Sequence, residues 1–509
     1  MRAWLESAAG WAPTDSAKNS EKDIKERNAL REVMCHPHRG RWFDNSLDEC
    51  QQGQVASEYP VLMVSPGMVC VKLGLRWMDM ARGASAFLAD VLSAGLQRSA
   101  ETQSACQSDR IPGKPMPRIA ARVSQLNGEG ALAVYSRAKE LEREGRSIIH
   151  LELGEPDFHP AAPVVDAVRA AVAAGRDRYV STRGVPSLRE AIAEYLKRTR
   201  RLQVAAEQVL VAPGCKMALS LAMMALIEPG DEVLYPDPGF PIYPSFTRGM
   251  GAKAVPFGLE EKNGFQPDLD EIAAKITPRT TALIFNSPNN PTGTVFKPEA
   301  LRRIAELAQQ HDLWIVSDEI YARISFSGEY ESIWELPGMA ERTVIIDGFS
   351  KSFAMTGWRL GYAVAAKHVV DAMDLLVLNT FTCVAEFTQV AAIEALRDST
   401  HAVDAMVTEY GKRRDLFVAG LNKIPGFRCQ APDGAFYAWV NIEETGLSAE
   451  EVAKLLLEEA GVAGIAGAAF GASGKEYLRF SLVSARHLLE EALERMQRVA
   501  TRWRAAVER

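Results

Sequence analysis

The chain has no strong excess of either charge, no long apolar run and no regular spacing of cysteines, and each absence excludes a class of function. Lys and Arg number 58 against 65 Asp and Glu, which argues against a nucleic-acid surface as the main partner. Apolar stretches such as Met217 to Ile227 stop at Glu228-Pro-Gly, well short of the ~20 residues a membrane-spanning helix needs. Seven cysteines, at 35, 50, 70, 106, 215, 383 and 429, show no paired spacing. A disulfide framework is therefore not expected, and a reducing cytoplasm fits best. The first thirty residues carry Glu6, Asp15, Glu21, Asp23 and Glu26 and no continuous apolar core. They resemble neither a secretory signal nor an acid-poor transit peptide.

At 509 residues the chain is long enough for more than one domain. Residues 1–115 show no sustained periodicity and balanced charge, and read as a poorly structured extension or an over-long gene start. Cys35-His-Pro-His38 lacks the second pair of ligands that a metal site needs, so no metal is expected. From Met116 onward, apolar runs of strand length alternate with helical patterns, as in an α/β sheet with helices on its faces. The expected strands are Gln208–Ala212, Glu232–Tyr235, Lys253–Phe257, Thr281–Asn286, Leu313–Ser317, Thr343–Asp347 and Leu360–Ala365. Their continuous apolar runs suit a mostly parallel sheet buried on both faces. A helix is expected over Pro298–Gln310, where Leu301, Ile304 and Leu307 recur at spacings of three. After about residue 404 the pattern shifts to long helices around a smaller sheet that includes Leu478–Val483. The expected division is 116–155 as an arm and part of a small domain, 156–404 as a large domain, and 405–509 as the small domain.

The chemistry concentrates at strand ends. Val209-Leu-Val-Ala-Pro-Gly214 reads as strand and turn before a helix starting near Lys216, whose first N–H groups would favour a phosphate. Arg359 and Tyr179 are further candidate phosphate contacts, Arg for its fork and permanent charge. Asp318, at the end of the strand in Trp314-Ile-Val-Ser-Asp318, can pair with a protonated ring nitrogen or, more blandly, cap a helix. Asn290, in the rigid turn Asn286-Ser-Pro-Asn-Asn-Pro-Thr-Gly293, and Tyr321 can reach a phenolic oxygen. Lys351, in Gly348-Phe-Ser-Lys-Ser-Phe-Ala-Met-Thr-Gly-Trp-Arg359, offers an amine. An amine, a carboxylate and an arginine together are what a pyridoxal phosphate enzyme requires. Gly461 to Gly474 is Gly-rich but lacks a strand–GxGxxG–helix context, so it reads as a flexible loop beside the pocket.

These motifs occur in one order. Leu153-Gly-Glu-Pro-Asp157, Tyr179 with Gly184, Ser287 to Gly293, Ser317-Asp-Glu-Ile-Tyr321, the Lys351 segment and Tyr477-Leu-Arg-Phe-Ser481 follow each other along the chain. In this the chain, from about Met116 to Arg509, resembles the fold-type I pyridoxal-phosphate aminotransferases of class I/II, in particular the bacterial aspartate-aminotransferase-like branch. The resemblance implies pyridoxal 5'-phosphate as cofactor and a homodimer with shared active sites. It also implies Lys351 as the Schiff-base lysine, Asp318 as partner of the ring nitrogen, and Tyr321 and Asn290 as ligands of the phenolic oxygen. Phe240 takes the place of the aromatic that stacks on the ring. Gly214, Cys215, Lys216, Ser350 and Arg359 fall on the phosphate side, with Tyr179 reaching across the dimer. Arg479 matches the clamp for the substrate α-carboxylate, with Gly154 and Asn290 beside it. Gly348 departs from relatives that carry a phosphate-binding Ser, a contact Ser350 could replace.

The implied activity moves an amino group from an L-amino acid to a 2-oxo acid such as 2-oxoglutarate. Aspartate is favoured as donor because Lys216 stands where some acidic-substrate relatives place a lysine. Two alternatives use the same residues or fold: a carbon–sulfur β-lyase, and a transcription regulator with an aminotransferase-like domain. The second sits poorly with the balanced charge of the first 115 residues and their missing helix-turn-helix pattern.

Overall fold

A computed structural model describes residues 118–507 apart from Glu129, Ser327, Glu329 and Ser399. The expectations for residues 1–115, the Cys35–His38 reading included, lie outside the described residues. In chain order the strands are β1 (Ile149–His150), β2 (Val209–Ala212), β3 (Glu232–Asp237), β4 (Lys253–Gly258), β5 (Thr280–Asn286), β6 (Trp314–Asp318), β7 (Thr343–Gly348) and β8 (Gly361–Val364). There follow β9 (Arg428–Cys429), β10 (Tyr437–Asn441), β11 (Val462–Ala463), β12 (Ile465–Ala466) and β13 (Tyr477–Ser481). The helices that matter for the site are α1 (Gly130–Arg143), α2 (Pro186–Arg200), α3 (Cys215–Leu226), α4 (Ile242–Gly249), α5 (Pro298–Gln310), α6 (Thr400–Leu421) and α7 (Arg486–Val507).

Seven strands form the central sheet in the order β2-β8-β7-β6-β5-β3-β4. Strands β3 to β7 run parallel, and β8 runs against both β7 and β2. All seven expected strands are present, their ends shifted by one or two residues. For every strand but the edge strand β4 the reason is burial on both faces: Ala282, Leu283, Ile284 and Phe285 of β5 are at most 1% exposed, so a strand between neighbours satisfies their backbone. Helix α5 has the expected bounds. Pro298 fits its first turn, where no N–H is needed, and Leu301, Ile304 and Leu307 face the core.

The later elements build a second, four-stranded antiparallel sheet, β12-β13-β10-β9. Residues Ile149 and Leu151 share its core with Tyr410 of α6, Phe436, Phe480 and Leu489 of α7. Strand β1 adds to this region by pairing in parallel with β11. No helix among the described residues is long and apolar enough to cross a membrane.

Candidate active site

Parallel strands end together, and here the carboxyl ends of β5, β6 and β7 open onto one cavity of about 290 Å³. Such a crevice is where open α/β sheets bind ligands. Gly154, Cys215, Lys216, Phe240, Asn290, Asp318, Tyr321, Ser350, Lys351, Arg359 and Arg479 all line it. Gly214 sits directly behind the lining, as the N-cap of α3. Tyr179 stands outside it, 87% exposed.

The anion end is a close fit of backbone and guanidinium. Gly214 has φ 87°, and a Cβ there would come within 2.5 Å of Arg359 Nη2. Arg359 Nη1 also donates to the Thr356 carbonyl at 3.0 Å, so its fork is held at the start of α3. Helix N–H groups and a fixed guanidinium converge, as an anion requires. A Cβ on Gly348 would lie 2.7 Å from Cys215 Sγ. The thiol thus occupies the space that a side chain at 348 would need, which accounts for glycine there. Burial pushes the Cys215 thiol pKa well up, so this thiol is packing rather than nucleophile.

At the centre, Asp318 is buried at the end of β6. Its carboxylate accepts from the Tyr243 hydroxyl at 2.7 Å and from the Ile320 N–H at 3.3 Å. Burial pushes its pKa up to about 6, against the pull of those two donors. Among the described residues no lysine or arginine forms an ion pair with it. The Lys351 amine donates to the Gly154 carbonyl at 2.5 Å and lies 5.9 Å from the Phe436 ring centroid.

The opposite end belongs to Arg479 on β13. Its Nη1 donates to Asn290 Oδ1 at 3.0 Å and its Nη2 to the Glu152 carbonyl at 2.5 Å. The guanidinium is sandwiched between the Tyr437 and Phe470 rings, at 4.4 and 4.7 Å. Phe470 belongs to the Gly-rich segment, which is pinned rather than loose. Asp237 accepts from the Ala472 N–H, the Ser473 N–H and the Ser473 hydroxyl at 3.1, 3.2 and 2.5 Å.

Several participants have no local signature. Tyr243 supports Asp318 from α4, Tyr437 meets the Tyr321 hydroxyl at 2.8 Å, and Asn286 Oδ1 accepts from the Asn290 N–H at 2.7 Å. Arg413 of α6 donates to Asp157 at 2.8 Å, holding the Leu153–Asp157 loop. Among the described residues no cluster of three or more His, Cys, Asp or Glu is placed to hold a metal.

Comparison with known proteins gives the geometry a family. A profile described as aminotransferase class I and II matches residues 146–496. An arginine–pyruvate transaminase of Pseudomonas aeruginosa is 40% identical over 374 residues, covering 73% of this chain and 95% of the relative. An aspartate aminotransferase of Pyrococcus horikoshii is 38% identical, covering 75% and 96%. The structure of Thermus thermophilus aspartate aminotransferase with maleate superposes with a TM-score of 0.73 at 38% identity, over 75% of this chain and all of that one. These relatives are transaminases, and the lyase and regulator alternatives are not favoured. The chain belongs to the class I and II aminotransferases, as a pyridoxal-phosphate-dependent transaminase of fold type I in the aspartate-aminotransferase-like branch.

Proposed function

We propose that this transaminase takes its amino group from aspartate and delivers it to 2-oxoglutarate, using the residues gathered at the β5–β7 crevice. The observation that carries the site assignment is Asp318, a buried carboxylate with no cationic side chain paired to it among the described residues, facing a cavity lined by Lys351, Arg359 and Arg479. A cofactor with a protonated ring nitrogen, a phosphate and an aldehyde matches that set of groups. When bound, pyridoxal 5'-phosphate supplies a carbon that accepts the amino group and a ring that withdraws electrons from the substrate α-carbon.

The chain's own residues then divide the work. Asp318, steadied by Tyr243, would hold the ring nitrogen protonated. Tyr321 and Asn290 would serve the phenolic oxygen, and Phe240 would lie against the ring. Gly214, Cys215, Lys216, Ser350 and Arg359 would hold the phosphate. Arg479 forks the substrate α-carboxylate beside Asn290 and Gly154, which orients the Cα–H bond. The Lys351 amine would carry the α-proton as base and then acid. Among the described residues that line the cavity Asp318 is the one carboxylate, whereas Lys216 lies at the same wall, 5.7 Å from the Phe240 ring. An acidic donor side chain is therefore better matched than a cationic one. The apolar surface of Ala131, Leu132 and Leu153 supports a second reading, an apolar or aromatic donor.

The test is a half-reaction on the full-chain holoenzyme. L-aspartate without any 2-oxo acid should bleach its visible absorbance, and 2-oxoglutarate should restore it. Bleaching by L-phenylalanine but not L-aspartate would move the assignment to the second reading.

The same proposal includes a homodimer in which Tyr179 of each subunit reaches the phosphate site of the other. It is supported by the exposure of Tyr179 away from its own cavity and by the exposed Leu375 and Leu378. Light scattering of the eluted protein should return twice the chain mass. A cytoplasmic location is supported by the free thiols of Cys215, Cys383 and Cys429. The domain division at 116–155, 156–404 and 405–509 is supported by strands β9 to β13, which build no part of the seven-stranded sheet.

A further inference from the structure

An ionic chain reaches the substrate end of the cavity from the protein surface. His150, the last residue of β1, has a carboxylate at each ring nitrogen. Nδ1 lies 2.7 Å from Glu152 Oε1, and Nε2 lies 3.0 Å from Glu142 Oε1 on α1. An ionised carboxylate only accepts hydrogen bonds, so a ring held between two of them donates from both nitrogens and is an imidazolium. Glu152 is fully buried, and its Oε2 meets no donor among the described residues. His150 is the cation that faces it. A buried carboxylate deprived of its cation must move or take up a proton.

What Glu152 carries gives this pair its importance. Its carbonyl accepts from Arg479 Nη2 at 2.5 Å, and two residues later the Gly154 carbonyl accepts from the Lys351 amine at 2.5 Å. We infer that His150, clamped as an imidazolium between Glu142 and Glu152, is a positioning residue that fixes the 152–154 backbone and thereby the aim of Arg479 at the substrate carboxylate. This rests on the carboxylate role proposed above for Arg479.

The other groups around His150 come from α1, the Ser484 loop and β11. From α1, Lys139 pairs with Glu142 at 2.7 Å and the Tyr135 ring lies 5.8 Å from the imidazole. The Ser484 hydroxyl donates to the His150 carbonyl at 3.2 Å, and β11 presents only Val462 and Ala463. Glu152, then Glu142, raise the His150 pKa above 6.5, against partial burial. The charge is therefore complete at acid pH and is lost as pH rises through that raised value. Substrate binding weakens in the same window.

The tests use the full-chain holoenzyme. In histidine-labelled protein, the imidazole resonance missing from His150→Gln should titrate above 6.5 in the native chain and closer to 6.5 in Glu152→Gln. A native midpoint at or below 6.5 overturns the inference, whether or not any variant folds. His150→Gln should raise the KM of the amino donor about tenfold while kcat stays within about threefold. Adding Glu152→Gln to it should bring KM back towards the native value, because the orphaned charge is gone. An unchanged KM in His150→Gln, or no recovery in the double variant, overturns the inference. Arg479→Lys separates the two readings. If it raises KM while His150→Gln does not, this inference alone falls. If Arg479→Lys leaves KM unchanged, the carboxylate assignment falls.

Discussion

Asp318 is a group that folding alone disfavours as a charge. With its pKa pushed up to about 6 from 3.8 by burial, the proton is bound more tightly in the folded chain than in the unfolded one. The stability it contributes is therefore present below pH 3.8 and lost as pH rises through about 6. Two units of difference correspond to about 3 kcal/mol at most. Cofactor-free Asp318→Asn should accordingly be about 1–3 kcal/mol more stable than the native chain at pH 8 and indistinguishable from it at pH 4, measured by urea melts. Its holoenzyme should turn over about 100-fold more slowly or worse, because the electron sink has lost its anion. A cofactor-free variant no more stable at pH 8 would show that the native carboxylate is already compensated. Gly214 makes the complementary argument from shape. Its φ of 87° and the guanidinium 2.5 Å from where a Cβ would stand leave no room for alanine. Gly214→Ala should weaken cofactor binding about tenfold or more, read by equilibrium dialysis, and cost about 1–2 kcal/mol of stability.

Asp237 ends β3 and ties down the Gly-rich segment, so the Phe470 wall of the arginine clamp depends on an element far from it in the chain. Asp237→Ala frees those three donors. Faster hydrogen exchange confined to 467–474 and a KM raised about tenfold are expected, with kcat changed less. Uniformly faster exchange would mean that Asp237 supports the fold as a whole. The same contrast explains what was legible in the residues. Strands buried on both faces carry apolar cores, so β2, β3 and β5 to β8 could be read within one or two residues; the edge strand β4 was legible from its alternation with the flanking turns. Lys351, Asp318 and Asn290 sit at ends or turns whose neighbours announce them. Tyr243 and Tyr437 do not, because their partners lie 75 and 116 positions away. The Gly-rich segment follows the same rule: its composition suggests freedom, while its restraint comes from Asp237 of β3.

Under the sheet, Arg200 of α2 joins Glu319 at 2.6 Å and also Asp347, with Tyr362 donating to Asp347 at 2.8 Å. All three charges are buried. Burial raises the Glu319 pKa and Arg200 opposes that rise. Removing the cation leaves two buried carboxylates uncompensated, so Arg200→Met should cost about 3–5 kcal/mol by urea denaturation. A smaller loss would mean that the Glu319 side of the cluster is already neutral in the native chain. Because β8 runs back alongside β7, the connection between Gly348 and Gly361 is a single return across the sheet. It carries both the Lys351 amine and the Arg359 guanidinium. That connection works as a ruler between the two ends of whatever the crevice holds. Insertions and deletions that other loops absorb would change its length and move one anchor relative to the other.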